Sequence, residues 1–186
     1  MKILLIDNNT KHLPDLLKSL AGHDVEVRKY RPGLDFSHND KDLIILSGGG
    51  GEGLEIHDYH KSGHLWYDDQ MTFVRNCKKP ILGICMGFEI IARAFGADVK
   101  KMDQGLEQFI VINTTSAGQK TFAKGRLKQF EAHDWHVPES PKNFEVLAHS
   151  KHGVEAIRHK TKPIFATQFH PEKGGTIKLA ELVSSI

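Results

Sequence analysis

The chain has 186 residues and carries 25 lysines and arginines against 23 acidic side chains, a net charge of +2. A length within about 100–200 residues predicts one domain, residues 1–186, with a single sizeable core. The near-neutral charge argues against nucleic-acid binding. Two cysteines do not make a disulfide scaffold, so a reducing, cytoplasmic compartment is expected. No apolar run approaches the ~20 residues of a membrane span, and the start of the chain predicts a strand rather than a signal peptide.

The first half of the chain alternates short apolar runs with helical spacing of leucines and isoleucines. Buried strands are predicted at residues 3–6, 25–27, 42–46 and 80–84, and helices at 12–21, up to 77, and 88–95. This βαβ alternation predicts a doubly wound, mostly parallel central sheet with flanking helices.

The second half has strand patterns with few helices between them. Strands are predicted at residues 109–113, 125–130, 144–149, 154–158 and 163–169, and a last helix at 177–183. Some of these strands are expected to pair antiparallel. The overall expectation is a single α/β domain.

A cysteine lies between a predicted strand and a predicted helix, in the sequence GICMG at residues 83–87. The flanking glycines permit a sharp turn that lifts the side chain clear of the sheet. The following helix directs its N–H groups at the sulfur, which favours the thiolate, and the N–H of Met86 could stabilise an oxyanion. This context predicts that Cys85 is a nucleophile, the alternative being a buried structural thiol. Cys77 has no such context and is interpreted as structural.

A histidine and a glutamate follow the last apolar strand, in the sequence QFHPE at residues 168–172. A thiol nucleophile needs a base that takes its proton and returns it to the leaving group, and histidine suits this role near neutral pH. Glu172 lies two residues after His170 and can orient the imidazole. The alternative is a solvated loop histidine, which the presence of Cys85 disfavours.

A glycine run follows the third predicted strand, at residues 48–51. It can bring backbone N–H groups close to a substrate. A phosphate-binding loop is the competing interpretation, but the Lys-Ser/Thr ending of that motif is absent.

The motifs GICMG, QFHPE and SGGG together resemble the class I (triad-type) glutamine amidotransferases, which hydrolyse the side-chain amide of glutamine and pass ammonia to a synthetase. FEVLAHS, VEAIRHKTKPIFATQFHPE and KKPILGICMG are most similar to the separate glutaminase subunit of two-subunit GMP synthetases. The resemblance covers nearly the whole chain in the expected order. Two departures weaken the GMP assignment: a short loop at residues 173–176, and a glycine where a proline usually follows SGG.

The resemblance implies a role for five residues. Cys85 would be the nucleophile that forms a thioester, His170 the general base and then the general acid, and Glu172 the residue that orients His170. The backbone N–H groups of Gly49 and Met86 would form the oxyanion hole.

Three further residues are expected near the substrate. His133 and Asp134 fall where the family has a histidine-containing segment whose backbone contacts the substrate. Glu89 stands one helical turn after the nucleophile, where the family usually has glutamine. A carboxylate there could attract the α-ammonium group of the substrate. It could also raise the pKa of the thiol, an effect that pairing with Arg93 would reduce. Alternatively, it simply replaces the amide as a hydrogen-bond acceptor.

A histidine cluster comprises His57, His60 and His64, spaced three and four residues apart. On one helix face these side chains could suit zinc or nickel, with Asp68 and Asp69 adding oxygen ligands. Because a glycine interrupts the helix and no metal motif is recognisable, we expect a solvated or substrate-covering loop and no metal.

Nothing in the sequence could bind and activate ATP. The resemblance therefore implies L-glutamine as substrate, no cofactor in this chain, and an ATP-pyrophosphatase-type synthetase partner that uses ATP and Mg²⁺ to make GMP from XMP. The alternatives are a self-sufficient γ-glutamyl hydrolase or peptidase, a glutaminase subunit of another synthetase, and a catalytically weak regulatory subunit.

Overall fold

The computed structural model describes residues 1–49 and 64–185. Nine strands are described: β1 Lys2–Asp7, β2 Asp24–Lys29, β3 Leu43–Leu46, β4 Ile81–Ile84, β5 Lys100–Thr114, β6 Arg126–His136, β7 Phe144–Ser150, β8 Gly153–His159 and β9 Ile164–Thr167. The helices are α1 Leu13–Ser19, α2 Asp68–Asn76, α3 Met86–Ala94, α4 Ser116–Phe122 and α5 Leu179–Ser185, with a short 3-10 helix at Pro171–Lys173.

The strands form one mixed sheet in the order β2-β1-β3-β4-β9-β8-β7-β5-β6. The pairings from β2 to β9 are parallel, and those from β9 to β6 are antiparallel. This confirms the predicted α/β fold with an antiparallel C-terminal part. That part contributes as many strand pairings as the parallel part.

The inner parallel strands β1, β3, β4 and β9 are buried on both faces because helices cover both sides of the sheet, whereas the edge strand β2 is partly exposed. On one face Leu4 and Ile6 of β1 pack in a core with residues of α2 and α3. On the other face Ile3 and Leu5 pack with Leu16 of α1 and with residues of α5. The alternation along β1 therefore divides its apolar side chains between two cores.

The antiparallel ribbon β5–β6 curls back over the carboxyl ends of the parallel strands. β5 pairs with β7 only near its own end, at Asn113 and Thr114. The backbone N–H of His170, three residues after β9, donates to the Phe130 carbonyl of β6 at 2.9 Å. The curl places β6 beside the end of the sheet where chemistry is expected in a parallel α/β fold.

Two elements differ from the sequence-based expectation. β5 is three times as long as the predicted strand, because ladder pairing with β6 continues through its polar half. α4 was not predicted; the Thr115 side chain caps its first turn by accepting from the Gly118 N–H at 3.1 Å. Gly118 is required there because a Cβ would overlap the Leu147 carbonyl.

Within residues 1–49 and 64–185, no helix has the length and apolar character needed to cross a membrane.

Candidate active site

The turn between β4 and α3 carries Cys85 in a strained backbone conformation. Its φ is 51° and its ψ is −109°, a region that a residue with a side chain adopts at a cost of about 1–3 kcal/mol. The Cys85 N–H donates to the Thr167 carbonyl of β9 at 2.8 Å, which holds the turn against the neighbouring strand. The carboxyl ends of β4 and β9 thus position the sulfur.

The glycines on either side of Cys85 are needed for space rather than for backbone freedom. Neither has a positive φ. A Cβ on Gly83 would lie 2.7 Å from the Gly87 carbonyl oxygen, and a Cβ on Gly87 would overlap the Leu46 carbonyl of β3. The strained angle falls on the cysteine itself, and the glycines let α3 begin directly against β3 and β4.

The Cys85 thiol is buried and has two polar neighbours. The Met86 N–H donates to the sulfur, and the thiol donates to the Ala132 carbonyl of β6 at 3.7 Å. Burial raises the pKa of the Cys85 thiol, and the negative charges of Glu89, Glu131 and Glu172 raise it further, against the lowering by the Met86 N–H. The net effect favours the thiol over the thiolate.

The side chains of His170 and Glu172 form a buried pair. His170 Nδ1 lies 2.7 Å from Glu172 Oε1, so Nδ1 is the donor that a carboxylate requires. The 3-10 helix Pro171–Lys173 brings the carboxylate back to the imidazole. The other ring nitrogen, Nε2, is buried and has no hydrogen-bond partner among the described residues.

Gly48 marks the point where Cys85 and His170 meet. A Cβ built on this glycine would lie 3.4 Å from Cys85 Cβ and 3.1 Å from His170 Cε1. Both side chains thus contact the same backbone position. The structure brings the three residues of the predicted triad into one buried site.

The Ser47-Gly48-Gly49 backbone is fixed by side chains that the sequence did not single out. Asn8 donates from its backbone N–H to Ser47 Oγ at 2.9 Å and from Nδ2 to the Ser47 carbonyl at 3.1 Å. Gln70 Nε2 in turn donates to Asn8 Oδ1 at 2.7 Å. A Cβ on Gly49 would lie 3.3 Å from Met86 Cβ, so the two residues predicted to form an oxyanion hole are adjacent. The remaining two glycines of the run, Gly50 and Gly51, lie outside the described residues.

Glu89 is buried in the first turn of α3 and accepts a hydrogen bond from Gln168 Nε2 at 2.9 Å. Burial raises its pKa to about 7, although the Gln168 donor and the charges of His133 and Arg93 lower it. Arg93 itself donates to Tyr67 Oη at 2.7 Å. Near neutral pH, Glu89 is thus a titrating carboxyl group close to the sulfur.

The two residues predicted in the histidine-containing segment have different environments. His133 is buried, with Nδ1 2.6 Å from the Trp135 carbonyl and Nε2 3.1 Å from Glu131 Oε2. Asp134 is exposed, and its Oδ1 lies against Gly105 of β5. His133 therefore belongs to the interior of the site and Asp134 to its rim.

A second histidine beside the catalytic pair was missed by the sequence interpretation. The ring of His12 lies edge-on to the ring of His170, with centroids 4.9 Å apart. Burial, followed by the charge of His170, lowers the pKa of His12 to about 4, so His12 is neutral near neutral pH. A position before α1 gives no local signal for this contact.

The predicted histidine trio cannot be assessed as a cluster, because His57 and His60 lie outside the described residues. His64 is exposed, and its Nδ1 lies 3.0 Å from Asp68 Oδ2. In the described ranges, no three His, Cys, Asp or Glu side chains are arranged to hold a metal ion.

Comparison with known proteins agrees with this architecture. The family model for class-I glutamine amidotransferases matches residues 4–185. One subunit of the glutamine-hydrolyzing GMP synthase from Methanocaldococcus jannaschii is 32% identical over 182 residues, covering 94% of this chain and 89% of that protein. The subunit of the same name from Methanococcus aeolicus is 36% identical over 146 residues, covering 76% and 70%.

The solved structures include a glutamine amidotransferase from Thermotoga maritima, with a TM-score of 0.73 and 18% identity, covering 92% of this chain and 76% of that one. At this identity the likeness concerns the fold alone. The family model and the two relatives from Methanocaldococcus jannaschii and Methanococcus aeolicus show that the chain belongs to the class-I glutamine amidotransferases.

Proposed function

We propose that this protein is a glutaminase that hydrolyses L-glutamine to glutamate and ammonia through a thioester on Cys85. The observation that carries the proposal is the strained Cys85 turn beside the buried pair of His170 and Glu172, with Gly48 between the two reacting side chains. A cysteine, an imidazole and an orienting carboxylate are the groups that acyl transfer requires.

In the first half-reaction, His170 Nε2 takes the thiol proton and the sulfur attacks the side-chain amide carbon of glutamine. Because the thiol donates to the Ala132 carbonyl in this structure, the S–H bond must turn toward His170 Nε2 before the proton moves. The N–H groups of Met86 and Gly49 stabilise the oxyanion. His170 then donates the proton to the departing nitrogen, the C–N bond breaks, and ammonia leaves a thioester.

In the second half-reaction, His170 accepts a proton from a water molecule as that water attacks the thioester carbon. The C–S bond breaks, the sulfur recovers a proton from His170, and glutamate is released. Glu172 holds the Nδ1 proton throughout and stabilises the imidazolium that forms in each half. The balance is glutamine plus water to glutamate plus ammonia.

The ammonia is used by a separate synthetase subunit of the ATP-pyrophosphatase type, most simply to make GMP from XMP in the cytoplasm. The relatives that are subunits of glutamine-hydrolyzing GMP synthases support this assignment. ATP and Mg²⁺ act in that partner, and this chain works without a cofactor. The raised pKa of the Cys85 thiol supports a low activity of the isolated chain.

The primary test compares glutamine hydrolysis by the wild type, Cys85→Ala and Cys77→Ala, with and without the synthetase from the same organism. Both thiols are buried, but Cys77 ends α2 and contacts His38 instead of the site. We expect Cys85→Ala to be inactive and Cys77→Ala to retain activity. Full activity of Cys85→Ala would refute the mechanism.

A second prediction concerns the orienting carboxylate. Glu172→Gln can still accept from Nδ1 but no longer stabilises an imidazolium, so kcat should fall by roughly 10²–10⁴-fold. Glu145→Gln, an exposed carboxylate paired with Arg158 at 2.8 Å, is the matched control. Equal kcat values for the two variants would contradict the assigned role.

A self-sufficient γ-glutamyl hydrolase is a second candidate, favoured by the acidic Glu89 close to the sulfur. Profiling the purified chain against glutamine and γ-glutamyl peptides separates the two functions. A strong preference for peptides without any partner would reverse our assignment.

A further inference from the structure

Two buried glutamates that the proposed reaction does not use meet beside the active site. Glu131 of β6 and Glu155 of β8 are each at most 1% exposed. Their strands are separated by β7 and β5 in the sheet, but the curl of β6 brings the two carboxyl groups close enough for each to shift the pKa of the other. The pair is therefore a product of tertiary structure.

The hydrogen bonds around this pair require an additional proton. Ser150 Oγ donates to Glu155 Oε1 at 2.5 Å, but Glu155 Oε2 and both oxygens of Glu131 are buried and receive no donor from the described residues. His133 Nε2 lies 3.1 Å from Glu131 Oε2 without the alignment of a hydrogen bond, and its Nδ1 serves the Trp135 carbonyl. Two carboxylates cannot donate to each other, whereas one proton between them makes a hydrogen bond that joins one oxygen of each group.

The charges around the pair lead to the same state. Burial raises the pKa of Glu131 to about 8. Burial, followed by the charge of Glu131, raises the pKa of Glu155 well above its ordinary value, against the lowering by Ser150 and His133. Besides these groups, Glu89 faces His133 from α3. Two negative charges in this interior are strongly disfavoured, so at neutral pH the pair retains at least one proton and carries at most a single charge.

The carboxyl pair is directly linked to the nucleophile through β6. The carbonyl that accepts the Cys85 thiol belongs to Ala132, the residue between Glu131 and His133. The charge of Glu131 also acts on the thiol. The number of protons on the pair therefore sets part of the field at the sulfur.

We propose that Glu131 and Glu155 share a single proton that limits the negative charge facing Cys85, so that losing this proton at alkaline pH slows the reaction of the sulfur. The consequence for turnover rests on the proposed glutaminase function. The proton sharing and its effect on the thiol do not depend on that function. Glu131 and Glu155 act through Cys85 and are positioning residues.

The test uses Glu155→Gln, whose amide can donate to Glu131 and which limits the pair to one negative charge at any pH. The rate of Cys85 alkylation by iodoacetamide is followed against pH by mass spectrometry of the Cys85 peptide in the full-length chain. At alkaline pH, once the wild-type pair has lost the shared proton, we expect Glu155→Gln to react roughly tenfold faster than the wild type, equivalent to one unit of thiol pKa. At neutral pH the rates should agree, and Glu145→Gln should follow the wild type throughout.

Infrared spectroscopy provides an independent measurement. The wild type at neutral pH should show the carbonyl stretch of protonated buried carboxyl groups, and Glu155→Gln should lose the part of that band that comes from Glu155. Should Glu155→Gln fail to fold, Glu131→Gln takes its place, since an amide on either side replaces the shared proton. Superimposable alkylation curves, or an unchanged infrared band, would overturn the proposal.

Neither measurement uses glutamine, so both decide the proposal even if the chain proves inactive as a glutaminase. If it is active, the alkaline fall of kcat/KM should move to higher pH in Glu155→Gln. A merely structural role of Glu155 would change the amplitude of that profile and leave its position unaltered.

Discussion

Replacing Glu89 by glutamine tests whether a buried carboxyl group beside the nucleophile destabilises the protein. Glu89 is 3% exposed and accepts from Gln168 Nε2 at 2.9 Å. A glutamine in its place has nearly the same volume, and its amide oxygen can accept the same hydrogen bond. The main change is therefore the loss of a titratable charge.

The magnitude follows from the pKa of Glu89, which is raised from 4.5 to about 7 by burial. A group with a raised folded-state pKa contributes stability that is fully present below its unfolded pKa and is lost as the pH rises through the folded value. At about 1.4 kcal/mol per unit, the wild type should lose on the order of 3 kcal/mol from this group between pH 4.5 and about 7. Glu89→Gln should not lose it.

The assay is urea unfolding followed by circular dichroism at a series of pH values. Since Glu131 and Glu155 titrate in both proteins, the difference between the two free energies of unfolding isolates Glu89. We expect that difference to grow in favour of Glu89→Gln as the pH rises, with Glu145→Gln matching the wild type. Parallel curves for the wild type and Glu89→Gln would refute the reasoning.

Two further predictions concern packing and the second histidine. Gly87→Ala should destabilise the chain by at least about 3 kcal/mol in thermal or urea unfolding, because the new Cβ overlaps the Leu46 carbonyl; Gly125→Ala, with nothing within 4 Å of a Cβ, should be near neutral. His12→Phe should be more resistant than the wild type to acid unfolding: the lowered pKa of His12, about 4, means that its contribution is present above pH 6.5 and lost as the pH falls through about 4. An unchanged acid midpoint in His12→Phe would contradict the burial of an uncharged imidazole beside His170.

The sequence by itself determined the parallel half of the fold and the candidates for the reacting groups. Continuous apolar runs such as residues 42–46 are typical of strands buried on both faces, and this pattern depends on local spacing alone. GICMG and QFHPE are similarly local. Each motif is a run of five adjacent residues, so the turn that it forms can be interpreted without a partner strand.

Only the tertiary structure decided which distant groups surround the sulfur. The carbonyl of Ala132, the ring of His12 and the carboxyl pair of Glu131 and Glu155 reach the site through the curl of β6 and the start of α1. These contacts join residues separated by dozens of positions, and nothing in the local pattern of β6 specifies the side chain opposite it. Burial sets the protonation of these groups, because desolvation depends on the whole surrounding structure and not on sequence neighbours.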